Sequence, residues 1–295
     1  MPQASAAESL YLVDAHSLIF QVFHGIKGMT SPNGMPTNAV FGFLRDMLFL
    51  RALHPTYLIC AFDRSEPTFR NELYAEYKAH RSPVPEDLSL QIPLIREAME
   101  GLGIPVLSHP RYEADDILAT LARRVVNQGH RAVVVTADKD LCQLVCDNIS
   151  VYDLGKDVRL GAAEVFTKLG VRPEQVPDFL GLAGDAVDNI PGIRGVGPKT
   201  ATALLAAFPN LEAMYERIEE VDGLPIRGAK SLKAKLIAGR DDAFLSRRLA
   251  TVAYDAPVTA TFEDLAFKGP DYPAAAKLFE ELGFDGMKKR AEQRR

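Results

Sequence analysis

"RYEADDILATLARRVV", residues 111 to 126, places Glu113, Asp115 and Asp116 within four positions and then runs on as an apolar-periodic helix. Acids at a helix N-terminus complement the positive end of the macrodipole and cap free backbone N–H groups. One acid suffices for that task. Like charges a few ångströms apart repel and raise one another's pKa, so three together are expected where something cationic is to be held. Capping still accounts for any one of them, and the flanking chain has to decide between the readings.

On both sides of this helix the chain alternates short apolar runs with amphipathic stretches. "LYLVD", "YLICAFD", "GIPVL", "RAVVVTAD" and "ISVYD" read as strands between residues 10 and 160. The alternation predicts an α/β domain over residues 8–160, with a mostly parallel central sheet flanked by helices. Ligands of such sheets sit beyond the carboxyl ends of the strands. Asp14, Asp63 and Asp138 are among the aspartates that end these runs.

Residues 64–103 form a long insertion between the second and third strands. Its first half, "RSEPTFRNELYAEYKAHRSP", puts Arg70, Tyr74, Tyr77 and Arg81 at helical spacing with Lys78 beside them, which predicts a basic-aromatic surface. Its second half carries Leu88, Ile92, Ile95, Met99 and Leu102 as a core-facing stripe. From 161 to 288 the strand signal gives way to short helical patterns joined by Gly and Pro turns, so an α-helical lobe is expected there. The basic end, residues 289–295, is expected as a frayed tail.

The composition, 47% hydrophobic and 25% charged over 295 residues, is that of a globular chain with a sizeable core. "AVFGFLRDMLFLRALH" is broken by charges before it could span a bilayer, and no basic segment followed by an apolar one opens the chain. No membrane association and a cytoplasmic location are expected. Cys60, Cys142 and Cys146 lack metal-ligand spacing and are expected as buried reduced thiols. The net charge of −5 argues against a nucleic-acid partner. Setting nine site acids aside weakens that argument, because 30 acids then face 34 Lys and Arg.

Those nine acids are Asp14, Asp63, Glu113, Asp115, Asp116, Asp138, Asp140, Asp185 and Asp188. Asp138 and Asp140 are two apart past a strand, where an extended backbone points both carboxylates the same way. Asp185 and Asp188, three apart, share a face if their segment is helical. Each pair taken singly is explained by a turn or a cap. Hard oxygen donors in this number suit two Mg²⁺ or Mn²⁺ ions rather than zinc. Such a pair of ions can hold the attacking and leaving oxygens of a phosphodiester.

"NIPGIRGVGPKTATALL" sets Gly192, Gly195 and Gly197 ahead of Pro198, Lys199 and a helix. No strand precedes it, so a dinucleotide-binding reading fails. A helix-hairpin-helix fits better: glycines let backbone N–H groups approach a phosphate, and Pro198 starts the helix whose dipole favours the anion. Gly195, Gly197 and Lys199 are then candidate DNA contacts, blind to base sequence. A plain turn between helices is the alternative.

"LVDAHSLIF", "PTNAVFGFL", "AFD", "FRNELYAEYKAHR", "YEADDILATLA", "TADKDLCQLV" and "GDAVDNIPGIRGVGPKTA" occur in the order found in the 5′-nuclease family. The chain resembles that family, which contains flap endonucleases and the N-terminal 5′→3′ exonuclease domain of bacterial DNA polymerase I, from about residue 10 to 288. The resemblance implies that residues 64–103 form a helical arch and that the hairpin grips duplex DNA, with a K⁺ ion as a possible helper. It implies a first metal among Asp14, Asp63, Glu113 and Asp115, and a second among Asp116, Asp138, Asp140, Asp185 and Asp188. Lys78 and Arg81 match residues that contact the scissile phosphate, and Arg70 and Tyr77 in the same motif are candidate DNA contacts. Implied partners are DNA with 5′ flaps, nicks or 5′ ends and a polymerase domain in the same or another chain, with the protein itself a monomer. Gln21 departs from the pattern, since many members carry arginine there, which puts recognition of the 5′-terminal phosphate in question.

The function expected is therefore metal-dependent 5′→3′ exonuclease and flap-endonuclease activity in primer removal and repair. A non-catalytic module binding branched DNA is the alternative of a different class. A ribonuclease sharing the acidic sheet is a third, and it gives no reason for the arch and the hairpin.

Overall fold

The structure is a computed structural model that describes residues 8–226, 228–266 and 271–292. Six strands form one sheet in the order β3-β2-β1-β4-β5-β6: β1 (Glu8–Asp14), β2 (Tyr57–Ala61), β3 (Val106–Leu107), β4 (Arg131–Val135), β5 (Ile149–Asp153) and β6 (Val158–Leu160). All neighbours are parallel except β5 and β6. The sequence reading missed β6, a three-residue edge strand with an exposed Val158 and no apolar run to announce it.

Strand alternation sorts the core into two layers. Leu10 and Leu12 of β1, Ile59 of β2 and Val134 of β4 face one cluster, while Tyr11, Val13, Cys60 and Val135 face the other. On the second face lie α1 (Ala15–Gly25), α2 (Asn38–Ala52) and, from the insertion, α4 (Glu86–Ser89) and α5 (Gln91–Gly101), which packs through Ile95 and Met99, while α3 (Phe69–Leu73) packs against the first cluster through Leu73. On the first face lies α6 (Ala114–Val126), which buries Ile117, Leu118, Leu121 and Val125. Each such residue contributes about 1.5–3 kcal/mol when fully buried.

The lobe that follows holds α7 (Ala162–Leu169), α8 (Val176–Ala183), α9 (Pro198–Ala207), α10 (Leu211–Glu216), α11 (Ala229–Ala238) and α12 (Arg240–Ala250). The last helices, α13 (Tyr272–Glu281) and α14 (Asp285–Glu292), do not stay with it. Phe279, Leu282 and Phe284 join the core cluster of α1, α2 and α5, with Phe284 edge-on to Phe41 at 5.3 Å. The chain thus returns to the α/β layer, which a single helical lobe over 161–288 does not anticipate. Helix α14 also runs through residue 292, so the start of the expected frayed tail is ordered as helix, while 293–295 lie outside the described residues.

The insertion differs most from expectation. No continuous helix carries residues 70–81: α3 ends at Leu73, and the chain turns through Tyr74–Arg81 with Lys78 at φ +58°. The turn is fastened to residues 185–190 from the lobe, where Lys78 N–H donates to Asp188 O at 2.9 Å and Asn189 Nδ2 donates to Glu76 O at 2.6 Å. Cys60 and Cys142 are buried as expected, but Cys146 is exposed.

Candidate metal and nucleic-acid site

The sheet order reverses about β1, and the acids gather at that switch point beyond the carboxyl ends of the strands. Asp14 ends β1 and caps α1, accepting Ser17 N–H at 3.1 Å and the Thr136 hydroxyl at 2.9 Å. Asp63 lies two residues beyond β2 and accepts the Ala114 N–H of α6 at 2.7 Å. Asp138 lies three beyond β4, with its N–H held by Thr136 Oγ1 at 3.0 Å, and its Oδ1 accepts Asp140 N–H at 2.8 Å. Ser17 and Thr136 orient the acids from within quoted motifs, yet carry no pattern that would single them out.

These carboxylates act on one another. Burial, with Asp63 and Asp138 adding repulsion, raises Asp14 to about 7. Burial, then Asp14, Asp138 and Asp63, pushes Asp115 well above the carboxylate range. Burial and Asp138 raise Asp140 to about 8, although Lys139 opposes them, and Asp140 Oδ1 is buried without a hydrogen-bond partner. Among the described residues no three acids already stand as a finished ligand set. Repelling, desolvated carboxylates, one with a buried oxygen that accepts no hydrogen bond, are nonetheless the environment a hard divalent cation relieves, so the donor set fits such ions.

The three acids that open α6 have separate partners. Asp115 faces the shared cluster. Asp116 is fully buried and bound by Arg70 through both terminal nitrogens at 2.8 Å, by Ala253 N–H at 2.8 Å and by Glu113 N–H at 3.0 Å. With its lone pairs committed and its charge neutralised, Asp116 is a structural ion-pair partner, and its assignment as a metal ligand is corrected. Arg70 is likewise 2% exposed, also bonding the carbonyls of Leu249 and Thr251, and is not a DNA-facing side chain. Tyr77 is 4% exposed with its hydroxyl on Glu113 at 3.2 Å, so its expected surface position is corrected too. Helical spacing misled because the helix stops at Leu73: Arg70 is buried from that short helix and Tyr77 from the turn that follows it.

Glu113 and Asp188 meet around that turn. Lys78 Nζ lies 2.7 Å from Glu113 Oε1 and 3.7 Å from Asp188 Oδ2, and Arg81 bonds Asp188 Oδ1. Burial would lower the Lys78 ammonium, but Glu113, Tyr77 and Asp188 hold it above its ordinary value. Asp185 is paired with Lys139, which overcomes the effect of burial and keeps its carboxyl low. Lys139 was not singled out in the sequence. Asp185 and Asp188 are not on a helix: a backbone pair between Asp185 and Ile190 closes the turn, and Asp185 Oδ1 caps Val187 N–H at 2.7 Å. Gln21 donates to Asp153 Oδ1 at 3.1 Å.

The glycine segment joins α8 to α9. A Cβ on Gly192 would stand 2.3 Å from Gly184 N, so the two limbs touch backbone to backbone at a position with φ +59°. Gly195, Gly197 and Lys199 are exposed, and nothing lies within 4 Å of a Cβ built on Gly197. The surface at the start of α9 is open to an anion.

The sequence profile of the 5′-3′ exonuclease N-terminal resolvase-like domain matches residues 9–170, and that of the 5′-3′ exonuclease C-terminal SAM fold matches 171–273. A 5′-3′ exonuclease of Aquifex aeolicus is 36% identical over 288 residues, covering 97% of this chain and 96% of its own. DNA polymerase I of Pseudomonas aeruginosa is 42% identical over 277 residues, covering 93% of this chain but 30% of its own length. The chain spans about a third of the DNA polymerase I relatives it matches. Among solved structures, the T5 5′-exonuclease with bound zinc superposes with a TM-score of 0.65 at 19% identity over 97% of both chains. The catalytic core of Rad2 in complex with DNA substrate does so at 0.64 and 19%, over 97% of this chain and 93% of its own. At that identity the likeness is one of fold.

Proposed function

Because the chain belongs to the 5′-3′ exonuclease family, we propose that it is a structure-selective 5′ nuclease, a metal-dependent phosphodiesterase acting on DNA flaps, nicks and 5′ ends. The observation that carries this reading is the repelling cluster of Asp14, Asp63, Asp115 and Asp138, continued by Asp140, whose buried Oδ1 accepts no hydrogen bond and has the Lys139 ammonium only at 3.7 Å. Asp14, Asp63, Asp115 and Asp138 would hold one Mg²⁺ or Mn²⁺, with Glu113 adjoining. Asp138, Asp140, Asp185 and Asp188 would hold a second. Ions bound there supply charge neutralisation on the phosphoryl group and a water-derived nucleophile at neutral pH.

The protein's own residues do the rest. Thr136 and Ser17 fix the Asp14 carboxylate, so its oxygens are set before substrate arrives. Lys78 and Arg81 now neutralise Glu113 and Asp188. Once those carboxylates have other counter-ions, both side chains are free to turn to the scissile phosphate and stabilise its developing charge. Lys199 and the open backbone at Gly195 and Gly197 would hold duplex phosphates, with a K⁺ ion at the same turn. Selectivity would then follow DNA shape rather than base edges.

The setting proposed is primer removal and repair in the cytoplasm at the nucleoid, as a monomer working beside a polymerase domain in the same or another chain. The test is a gel assay on a 5′-flap duplex with Mg²⁺ and with EDTA, run in parallel on an RNA flap. Cleavage that needs Mg²⁺ and prefers the DNA flap supports the reading. Cleavage that survives EDTA contradicts it, and tight binding without product in Mg²⁺ favours the non-catalytic DNA-binding module.

A further inference from the structure

Phe62, the residue before Asp63, has basic side chains against its ring from two helices. The Arg96 guanidinium, from α5, lies over the ring at 4.7 Å from the centroid, and the His16 imidazole, from α1, meets it edge-on at 5.6 Å. Phe62 is 1% exposed, so it is a fixed platform. Arg96 Nε is buried with no hydrogen-bond partner, and among the described residues no carboxylate forms an ion pair with Arg96. A guanidinium over a ring with a buried donor unsatisfied is unusual, because buried charged donors are costly to leave unpaired.

His16 is set in a matching way. Asp63 N–H donates to His16 Nδ1 at 3.2 Å, so the neutral ring carries its proton on Nε2. Nε2–H is left as a donor without a partner among the described residues. Asp63 itself commits Oδ1 to the N–H of Ala114, at the start of α6. Arg96 therefore extends the cationic line of Lys78 and Arg81 around His16 at the edge of the acidic cluster, and neither Arg96 nor His16 has been given a task by the reaction described above.

We propose that Arg96 and His16 form a phosphate subsite beside the acidic cluster, which takes one phosphate of the strand being cut, next to the scissile one. The proposal rests on the nuclease reading. Its chemistry is that of a planar guanidinium fork suited to two phosphate oxygens, pre-oriented by the Phe62 ring, with the His16 Nε2–H as an added donor. The phosphate is either the 5′-terminal monoester or an internal diester.

Arg96→Met retains much of the packing on Phe62 and removes the charge. Steady-state cleavage of 5′-flap DNA in Mg²⁺ is measured beside anisotropy binding in EDTA over a range of KCl, with flaps bearing a 5′-phosphate or a 5′-hydroxyl. The expected result is a KM and Kd about tenfold higher with a much smaller change in kcat, and a salt slope reduced by about 0.7, the share of one single-strand phosphate. Loss confined to the 5′-phosphate flap assigns the terminal monoester, and equal loss on both flaps assigns an internal diester. Arg96→Lys, which keeps the charge without the fork, is expected to restore the salt slope but not the full affinity, and it serves also if Arg96→Met does not fold. Wild-type affinity and salt slope in a folded Arg96→Met overturn the subsite, and where Arg96→Met does not fold, wild-type affinity in Arg96→Lys overturns it. Failure of the wild type to cleave in Mg²⁺ overturns the nuclease reading instead, so the two failures are distinct.

Discussion

Asp115 and Asp116 are neighbours in one helix, and the structure gives them opposite energetic signs. Asp116→Ala leaves the Arg70 guanidinium, 2% exposed, without its two 2.8 Å bonds. Breaking a buried pair by removing one partner costs about 3–5 kcal/mol. Glu113 Oε2, 3.3 Å from the same guanidinium, retains part of the compensation, which places the loss near the lower end, about 3 kcal/mol. Asp115→Ala removes a carboxylate that burial and three other acids oppose, so the metal-free protein is expected to be at least as stable as wild type. The assay is urea unfolding in EDTA at neutral pH followed by circular dichroism, repeated with Mg²⁺. Mg²⁺ should stabilise wild type and Asp116→Ala, by about 2.7 kcal/mol at a hundred times Kd, and should do little for Asp115→Ala. The double change Arg70→Met with Asp116→Leu should recover only part of the loss, because it removes the unpaired charge but leaves the N–H groups of Glu113 and Ala253 and the carbonyls of Leu249 and Thr251 without these partners. If Asp116→Ala unfolds with wild type and Asp115→Ala carries the loss, the division of roles is wrong.

Lys78→Ala is expected to lower kcat on a flap substrate by roughly a hundredfold or more with little change in Kd, because its charge matters most as the phosphoryl group reacts; an unchanged kcat would remove it from the catalytic set. Lys199→Ala should weaken duplex binding for every sequence and reduce the salt slope by about 0.9, measured by anisotropy over a KCl series, and an unchanged slope would remove the hairpin assignment. Gly192→Ala should lower the unfolding midpoint and duplex affinity together, since its Cβ would stand 2.3 Å from Gly184 N and force the two limbs apart. Wild-type stability in that variant would show that the limbs do not need their close approach.

What the sequence made readable follows from local patterns. The runs at β1, β2 and β4 are buried on both faces, and the acids just past them fall at the sheet's carboxyl edge by chain direction alone. Long-range pairing was not readable. Arg70 and Asp116 are 46 positions apart, so nothing local in "FRNELYAEYKAHR" says that Arg70 turns inward, and a positive φ at Lys78 carries no sequence signal when the residue is not glycine. Asp115 and Asp116 look equivalent in a string, yet a helix turns about 100° per residue and presents them to different surroundings. The return of α13 and α14 to the α/β layer likewise depends on Phe279 and Phe284 finding α2 and α5 across most of the chain.

The central claim is that carboxylates from distant parts of the chain converge on a pair of hard cations, and Mn²⁺ binding read by isothermal titration calorimetry tests it without any DNA. Two ions bound per chain, with at least one lost in Asp115→Asn and both retained in folded Asp116→Asn, is the result expected. No Mn²⁺ bound by wild type, or the same binding in Asp115→Asn, would contradict it.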